Sequence, residues 1–135
     1  MIIGLGEDLV EISRIKRLID EKGDRFLQKC FSTSEIKLAN NHKTDDRRVA
    51  YFAKRFAAKE ACLKALGTGM RDGLSWHDMS VSNDDLGRPI LNITGGVETR
   101  LLTLVSDDQK PRIHITLADE AGFAKATVIF EAIPK

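Results

Sequence analysis

The chain has 135 residues, of which 42% are hydrophobic and 30% are charged, and its formal net charge at pH 7 is +1. This length fits one domain with a buried core, so we treat residues 1–135 as that domain. The charge balance argues against a generally basic nucleic-acid-binding protein, and no apolar run approaches the roughly 20 residues that span a bilayer. The N-terminus lacks the basic region of a secretory signal, and Cys30 and Cys62 are expected to be reduced thiols in the cytoplasm.

The first predicted element is a short buried strand at Ile2–Val10, with Gly4 and Gly6 on alternate positions. Glycines inside a strand indicate the close approach of another backbone or of a ligand, and the pattern leaves both open. Asp8 stands near the end of this strand. A carboxylate there either caps the following helix or takes part in a functional site.

The segment Glu11–Glu21 has the pattern of an amphipathic helix. Its predicted inward face consists of Ile12, Ile15, Leu18 and Ile19. Arg14 and Arg17 lie three residues apart on a different face, so we expect both side chains to point into solvent. With the basic residues that follow as far as Lys29, they predict a surface that meets anionic partners.

Two short helices are predicted next. The first, Asp24–Cys30, contains Arg25 and is expected to bury Phe26. The second begins at Ser32, which has capping-box spacing with Glu35. A polar connection then leads into the longest predicted helix.

The chain is organised around Asp45–Gly69, which has the composition of one long helix. Recurring alanines predict a face that allows close packing, and Gly67 is expected to end the helix. A bulkier apolar stripe beside that face consists of Phe52, Phe56 and Leu63. The helix also carries a second basic cluster, and thus predicts a second anion-facing patch, at Arg47, Arg48, Lys54, Arg55, Lys59 and Lys64.

Glu60 and Lys64 on this helix have the order and spacing of an i,i+4 ion pair. On a solvated face such a pair would have no further role. The alternative is that Glu60 holds a metal ion and Lys64 meets a phosphate group. The helix by itself leaves both interpretations open.

The second half of the chain predicts a strand at Trp76–Asn83, a glycine-containing turn and a returning strand at Pro89–Ile93. A helix is expected over Gly96–Ser106, and the β-rich runs Arg112–Ala118 and Phe123–Ile133 predict an antiparallel hairpin. Together the elements predict an α+β fold in which an antiparallel sheet packs against the long central helix.

If the long helix packs on the sheet, Asp8 and Glu60 can meet at one place. Two adjacent carboxylates repel each other unless a cation lies between them. Two protein oxygen ligands suit Mg²⁺, which keeps waters and takes further oxygens from a substrate phosphate. Lys64, one turn after Glu60, would then neutralise a phosphate oxygen, and the Gly67–Gly69 loop is a weaker predicted anion contact.

Two stretches, GLGEDLVEISRI (Gly4–Ile15) and RFAAKEACLKALGTGMRDGLSW (Arg55–Trp76), stand in the same order as motifs of a known family. They are followed by LGRP (Leu86–Pro89) and IHITLAD (Ile113–Asp119). On these residues the whole chain closely resembles the holo-[acyl-carrier-protein] synthases, the small 4′-phosphopantetheinyl transferases. The pairing of G-x-G-x-D with F-x-x-K-E-A-x-x-K-A is specific, so it favours the functional interpretation of Glu60.

The resemblance implies the 4′-phosphopantetheinyl transferase fold. It also implies transfer of the phosphopantetheine arm of coenzyme A to a serine hydroxyl of apo acyl carrier protein, in support of fatty acid biosynthesis, with release of adenosine 3′,5′-bisphosphate. Asp8 and Glu60 match the Mg²⁺ ligands, and with Lys64 they are the expected catalytic residues. Arg55, Lys64 and Gly67 are the expected coenzyme A contacts, with Lys64 at the pyrophosphate and Arg55 at a nucleotide phosphate.

The resemblance further implies that the carrier docks on the first helix through Arg14, with Arg17, Arg25 and Phe26 close to other docking positions. It implies a homotrimer with coenzyme A bound in clefts between adjacent subunits. No nucleic-acid or membrane partner is expected.

One position departs from the family pattern. Many members carry a second histidine five residues after the one that matches His114, whereas this chain has Asp119 there. We therefore expect no histidine base at that position. His114 itself lies in a β-rich run and is expected to be a core or interface residue.

Two alternatives stay open from the sequence. One is the same chemistry on a polyketide or peptide-synthetase carrier, which a panel of apo carriers would distinguish. The other is a non-catalytic adaptor that uses its basic helix to bind acidic proteins or RNA. Coenzyme A binding with and without Mg²⁺ would separate the adaptor from the enzyme.

Overall fold

The structure, a computed structural model, describes all residues from 1 to 135. Its helices and strands in chain order are β1 (Ile2–Glu11), α1 (Ile12–Lys22), α2 (Asp24–Cys30), α3 (Thr33–Asn40), α4 (Asp45–Leu66), β2 (Met79–Asn83), β3 (Pro89–Ile93), α5 (Gly95–Leu102), β4 (Gln109–Glu120) and β5 (Phe123–Pro134). A short 3-10 turn, Trp76–Asp78, precedes β2.

The main sheet has the strand order β1-β5-β4, and both neighbouring pairs are antiparallel. The central strand β5 packs one face against α4. That face is a row of buried side chains: Ala124, Ala126, Val128, Phe130 and Ala132. The strands β2 and β3 form a separate antiparallel hairpin. Helix α4 contacts the main sheet, the hairpin and two other helices, so it is the element on which the rest of the fold is assembled. The predicted α+β fold, an antiparallel sheet against a long central helix, is confirmed.

The backbones of β1 and α4 approach each other closely. A Cβ atom at Gly4 would overlap the carbonyl oxygen of Ala65, and one at Gly6 would overlap that of Ala61. The two glycines therefore admit a neighbouring backbone, and the alanines of α4 provide the matching small face. This contact sets the C-terminal part of β1 beside the part of α4 that carries Glu60.

Replacing Gly6 with alanine is expected to destabilise the protein by about 3 kcal/mol, because the added methyl group meets backbone atoms that cannot rotate away. Its Cβ would also lie 2.6 Å from the backbone nitrogen of Ala65. Urea unfolding measures the loss. Gly67→Ala is the control: that position faces open space but has φ 76°, and it is expected to cost only about 1 kcal/mol. Equal losses for the two variants would contradict the close-packing explanation.

The structure overturns the helix-capping interpretation of Asp8. The strand β1 continues to Glu11, which is the residue that precedes the first turn of α1. Asp8 pairs with Ala126 inside the sheet. Its carboxylate is therefore not needed to begin the helix.

Two predicted boundaries were also wrong. Residues 76–78 form a 3-10 turn rather than part of a strand, because Ser75 and Asp78 form a capping box around it. Helix α5 ends at Leu102 instead of Ser106. The remaining helices and strands lie where the sequence predicted them, within a few residues at each end.

Candidate active site

The C-terminal part of β1 and the second half of α4 bring Asp8 and Lys64 into contact. Lys64 Nζ lies 3.0 Å from Asp8 Oδ1 and donates a second hydrogen bond, also 3.0 Å, to the backbone carbonyl of Glu7. The Asp8 side chain is 16% exposed, whereas that of Lys64 is 54% exposed. The carboxylate is thus held in place by the fold, and the ammonium group is free to reach a ligand in solvent.

Glu60 completes the group that we call the acidic cluster: Asp8, Glu60 and Lys64. Burial raises the pKa of Glu60, and the nearby charge of Asp8 raises it further, while Lys64 and Arg14 act in the opposite direction. No Glu60–Lys64 ion pair forms, since the lysine turns to Asp8 instead. The interpretation of these two residues as a simple surface ion pair is therefore wrong. Two carboxylates beside one ammonium group favour the binding of a further cation.

Arg55 does not lie in the acidic cluster. At about 3.6 residues per turn, residues 55 and 64 project from opposite sides of α4. The Arg55 guanidinium stacks 3.7 Å from the centre of the Tyr51 ring, and its Nη2 donates to Asn83 Oδ1 at 2.8 Å. Sequence reasoning missed both of these partners. The i,i+4 spacing of Tyr51 and Arg55 on α4 is a signal that could have indicated the first contact, whereas no local signal connects Arg55 to Asn83.

The charge of Arg55 is not balanced by a carboxylate. The side chain is 4% exposed and its buried Nε has no hydrogen-bond partner. Burial lowers the pKa of Arg55. A buried guanidinium group without a counter-ion is costly, so its surroundings favour the binding of an anion.

Gly67 ends α4 in the left-handed conformation with φ 76°. Its N–H donates to the carbonyl oxygen of Lys64 at 3.0 Å, and the Thr68 N–H donates to that of Leu63 at 3.3 Å. Both N–H groups therefore cap the helix, as glycine-ended helices commonly do. The sequence suggested these groups as anion donors, and that role does not fit their hydrogen bonds. The exposed backbone of Gly67, without a side chain, still allows a ligand to approach closely.

The basic residues predicted to dock a carrier are exposed on α1 and α2, at Arg14, Arg17 and Arg25. Phe26 beside them is partly buried, and its ring centre lies 6.2 Å from that of Phe56 on α4. Arg14 is close enough to Glu60 to lower the pKa of that carboxyl group. This basic surface therefore adjoins the acidic cluster.

His114 is not a core residue of the chain, contrary to one of the two expected roles. It lies on β4 at the edge of the sheet with its side chain 50% exposed, and its Nε2 is 3.1 Å from Glu131 Oε1. The aspartate that stands in place of the family's second histidine forms an ion pair with α4. Asp119 Oδ1 lies 3.2 Å from Lys54 Nζ.

The second anion-facing patch predicted along α4 is not a continuous surface. Lys59 is fully buried and lies 2.6 Å from Glu35, which is also fully buried. Lys54 pairs with Asp119, and Arg55 is buried on another side of the helix. One relevant signal is present in the sequence, the capping box of Ser32 and Glu35, which the structure confirms. That signal places Glu35 at the start of α3 but does not reveal its burial.

The family of the chain follows from a comparison with family models. The model described as the 4′-phosphopantetheinyl transferase superfamily matches residues 4–124, a range that includes the whole acidic cluster. The chain belongs to this superfamily. The resemblance inferred from the motifs is therefore confirmed.

Individual members of the superfamily are similar over nearly their full length. The holo-[acyl-carrier-protein] synthase of Xanthobacter autotrophicus is 48% identical over 135 residues, which cover 100% of this chain and 98% of that protein. The crystal structure of the holo-[acyl-carrier-protein] synthase from Neisseria meningitidis matches with a TM-score of 0.82 at 32% identity, covering 97% and 99% of the two chains. The synthase from Bacillus anthracis, solved in complex with CoA (3′,5′-ADP), matches with a TM-score of 0.75 at 33% identity, covering 96% of each chain.

Proposed function

We propose that this chain is a holo-[acyl-carrier-protein] synthase. It transfers 4′-phosphopantetheine from coenzyme A to a serine hydroxyl of apo acyl carrier protein, releases adenosine 3′,5′-bisphosphate and supports fatty acid biosynthesis. The observation that carries this proposal is the acidic cluster, in which strand β1 and helix α4 set two carboxylates and a mobile ammonium group side by side. The names of the relatives and their complexes with coenzyme A support the same substrate pair.

Asp8 and Glu60 are the residues that would hold Mg²⁺. No group of three or more His, Cys, Asp and Glu side chains is placed to bind a metal, so this site would offer no third side chain of these types. Two carboxylates fit Mg²⁺, which takes its remaining oxygens from water and substrate phosphates. When bound, Mg²⁺ supplies positive charge that stabilises the negative charge developing on the phosphate oxygens.

Lys64 and Glu60 have separate roles in the transfer step. The carrier serine oxygen forms a bond to the phosphorus next to the pantetheine arm, and the bond from that phosphorus to the bridging oxygen breaks. Lys64 turns from Asp8 to a pyrophosphate oxygen and stabilises the departing adenosine 3′,5′-bisphosphate. Glu60 accepts the serine proton, as a general base in this reaction.

Arg55 and Gly67 are proposed as further coenzyme A contacts. The unbalanced charge and free Nε of Arg55 support binding of a nucleotide phosphate. Because Arg55 and Lys64 point to opposite sides of α4, one coenzyme A molecule would meet them on two different subunits. This arrangement supports the expected homotrimer with clefts between adjacent subunits.

The outer face of β1 also supports assembly of several copies. Leu5 and Leu9, on the face away from α4, are 64% and 61% exposed. Exposed apolar side chains in a row are typical of a surface that packs against another subunit.

None of the five helices combines the length and apolar character required to cross a bilayer. We propose a cytoplasmic homotrimer that acts without a nucleic-acid or membrane partner.

Glu60→Gln is expected to lower kcat by roughly 10²- to 10⁴-fold at saturating Mg²⁺, because glutamine cannot accept the serine proton. The variant is expected to be slightly more stable than the natural protein at neutral pH. The folded pKa of Glu60 is raised, so the folded protein binds more protons than the unfolded chain and loses stability as pH rises through that pKa. Turnover and urea unfolding against pH measure both effects. Near-normal turnover would remove Glu60 from the proton transfer.

Arg14→Glu is expected to raise the KM for an acidic carrier by about tenfold and to leave the KM for coenzyme A within about twofold, since exposed charges steer a charged partner. The effect should be larger at low salt. Steady-state kinetics with each substrate varied in turn measures it. Lys110→Glu makes the same charge change at an exposed position of β4, outside the basic surface of α1 and α2, and serves as the control. Equal changes in both KM values would contradict docking at Arg14.

Mass spectrometry of apo acyl carrier protein tests the proposed function directly. After incubation with this protein, coenzyme A and Mg²⁺, the carrier is expected to gain the mass of one phosphopantetheine group on its serine. Omitting Mg²⁺ should prevent the gain. A carrier that stays unmodified under all conditions would refute the proposed activity.

A further inference from the structure

A fully buried ion pair outside the acidic cluster joins four elements of the fold. Lys59 donates to Glu35 Oε1 and to the backbone carbonyl of Cys30, both at 2.6 Å. The same Oε1 accepts from the Ser32 N–H at 2.9 Å, and Oε2 accepts from the Val81 N–H at 2.9 Å. These hydrogen bonds, which we call the Lys59–Glu35 junction, connect the end of α2, the start of α3, the middle of α4 and strand β2.

Stability alone does not account for a charged pair at this position. Both side chains are 0% exposed, and burial lowers the pKa of Lys59. Removing two charges from water is expensive, and well-packed apolar side chains of similar volume are often equally stabilising. Directional hydrogen bonds do what apolar packing does not: they allow essentially one placement of the joined backbones.

The junction lies between two parts of the proposed site, Glu60 on α4 and the docking residues on α2. Lys59 directly precedes Glu60 on α4, and through Cys30 it holds the end of α2. Helix α2 carries Arg25 and Phe26 of the predicted docking surface, and Phe26 rests on Phe56, one turn before Glu60. The junction therefore joins the end of α2, which carries Arg25 and Phe26, to the residue that precedes Glu60.

We propose that Lys59 and Glu35 are positioning residues, which hold the carrier-docking helix at the distance from Glu60 that brings the carrier serine to the phosphate of coenzyme A. This inference rests on the proposed function. Reacting atoms must approach to about 3–3.5 Å, and a misplacement of about 1 Å costs about 10²-fold in rate. The junction therefore acts on kcat with the carrier and leaves the affinity for coenzyme A unchanged.

The test is the double variant Glu35→Leu/Lys59→Met, which replaces the pair with apolar side chains of similar size. Its urea midpoint is expected to fall moderately, because no charge is left unpaired but the Val81 N–H and the Cys30 carbonyl lose their buried partners. Its affinity for coenzyme A, measured by calorimetry with Mg²⁺, is expected to stay within about twofold, while kcat with apo carrier falls roughly 10- to 100-fold. Leu27→Met, a volume-conserving change in the same core on α2, is the control and should keep full activity.

A double variant that transfers at the natural rate would overturn the proposal, as would a kcat loss matched by an equal loss of coenzyme A affinity. If the natural protein itself leaves the carrier unmodified, the proposed function fails instead. Should the double variant not fold, Glu35→Gln takes its place. Lys59 and Val81 donate to different oxygens of the Glu35 carboxylate, so the NH2 group of glutamine would face one of these two donors. The same selective loss of kcat is expected, and an unchanged kcat would overturn the proposal.

Discussion

Replacing Asp8 with asparagine is expected to lower the rate of transfer to the carrier by roughly 10²- to 10³-fold, because the acidic cluster loses a negative charge that would hold its cation. The fold should survive. Lys64, its ion-pair partner, is 54% exposed and can return to water, so the stability change is expected to stay within about 1 kcal/mol. Mass spectrometry of the carrier gives the rate, and calorimetry with Mg²⁺ gives the loss of metal affinity.

Glu7→Gln is the matched control for Asp8→Asn. Glu7 is the preceding residue of β1, and its side chain contacts Lys125 and Thr127 on the opposite face of the sheet. The same loss of one negative charge there is expected to change the rate less than about twofold. An Asp8→Asn enzyme that keeps more than about a tenth of the natural rate would remove Asp8 from the proposed chemistry.

Lys59→Met as a single variant is expected to destabilise the protein by about 3–5 kcal/mol, since it leaves the carboxylate of Glu35 buried without its cation. Urea or thermal unfolding measures this. Lys54→Met is the control on the same helix: it removes a partly exposed pair with Asp119 and should cost no more than about 1 kcal/mol. Similar losses for the two lysines would contradict the special role of burial, whereas recovery in the Glu35→Leu/Lys59→Met double variant would support it.

The positions of the main elements follow from local signals in the chain. Alternation of apolar residues predicted β5, and helical periodicity with a terminal glycine predicted α4 to within a few residues. The glycines of β1 gave a correct but incomplete signal. They indicated a close approach, and only the packed structure shows that the neighbour is the backbone of α4 at Ala61 and Ala65.

The acidic cluster illustrates what spacing leaves undecided. Glu60 and Lys64 are as far apart in sequence as an ordinary helical ion pair, and on an isolated helix they would form one. In the fold, β1 brings Asp8 to Lys64, and the lysine bonds the carboxylate that the sheet holds in place. The motif resemblance predicted that Asp8 and Lys64 belong to one site, but it did not predict the ion pair between them.

The sequence by itself determined the elements, the family and the residue types of the candidate site, because propensity, capping and motif order act over short stretches of chain. The tertiary structure alone decided which charges are partnered. It buried Lys59 against Glu35, turned Arg55 toward Asn83 and Tyr51, and left Glu60 with a raised pKa beside Asp8. The contacts of Lys59 with Glu35, Arg55 with Asn83 and Lys64 with Asp8 join residues 24, 28 and 56 positions apart, and they depend on the exclusion of water between them. Neither separation nor desolvation is encoded in the local pattern of the chain.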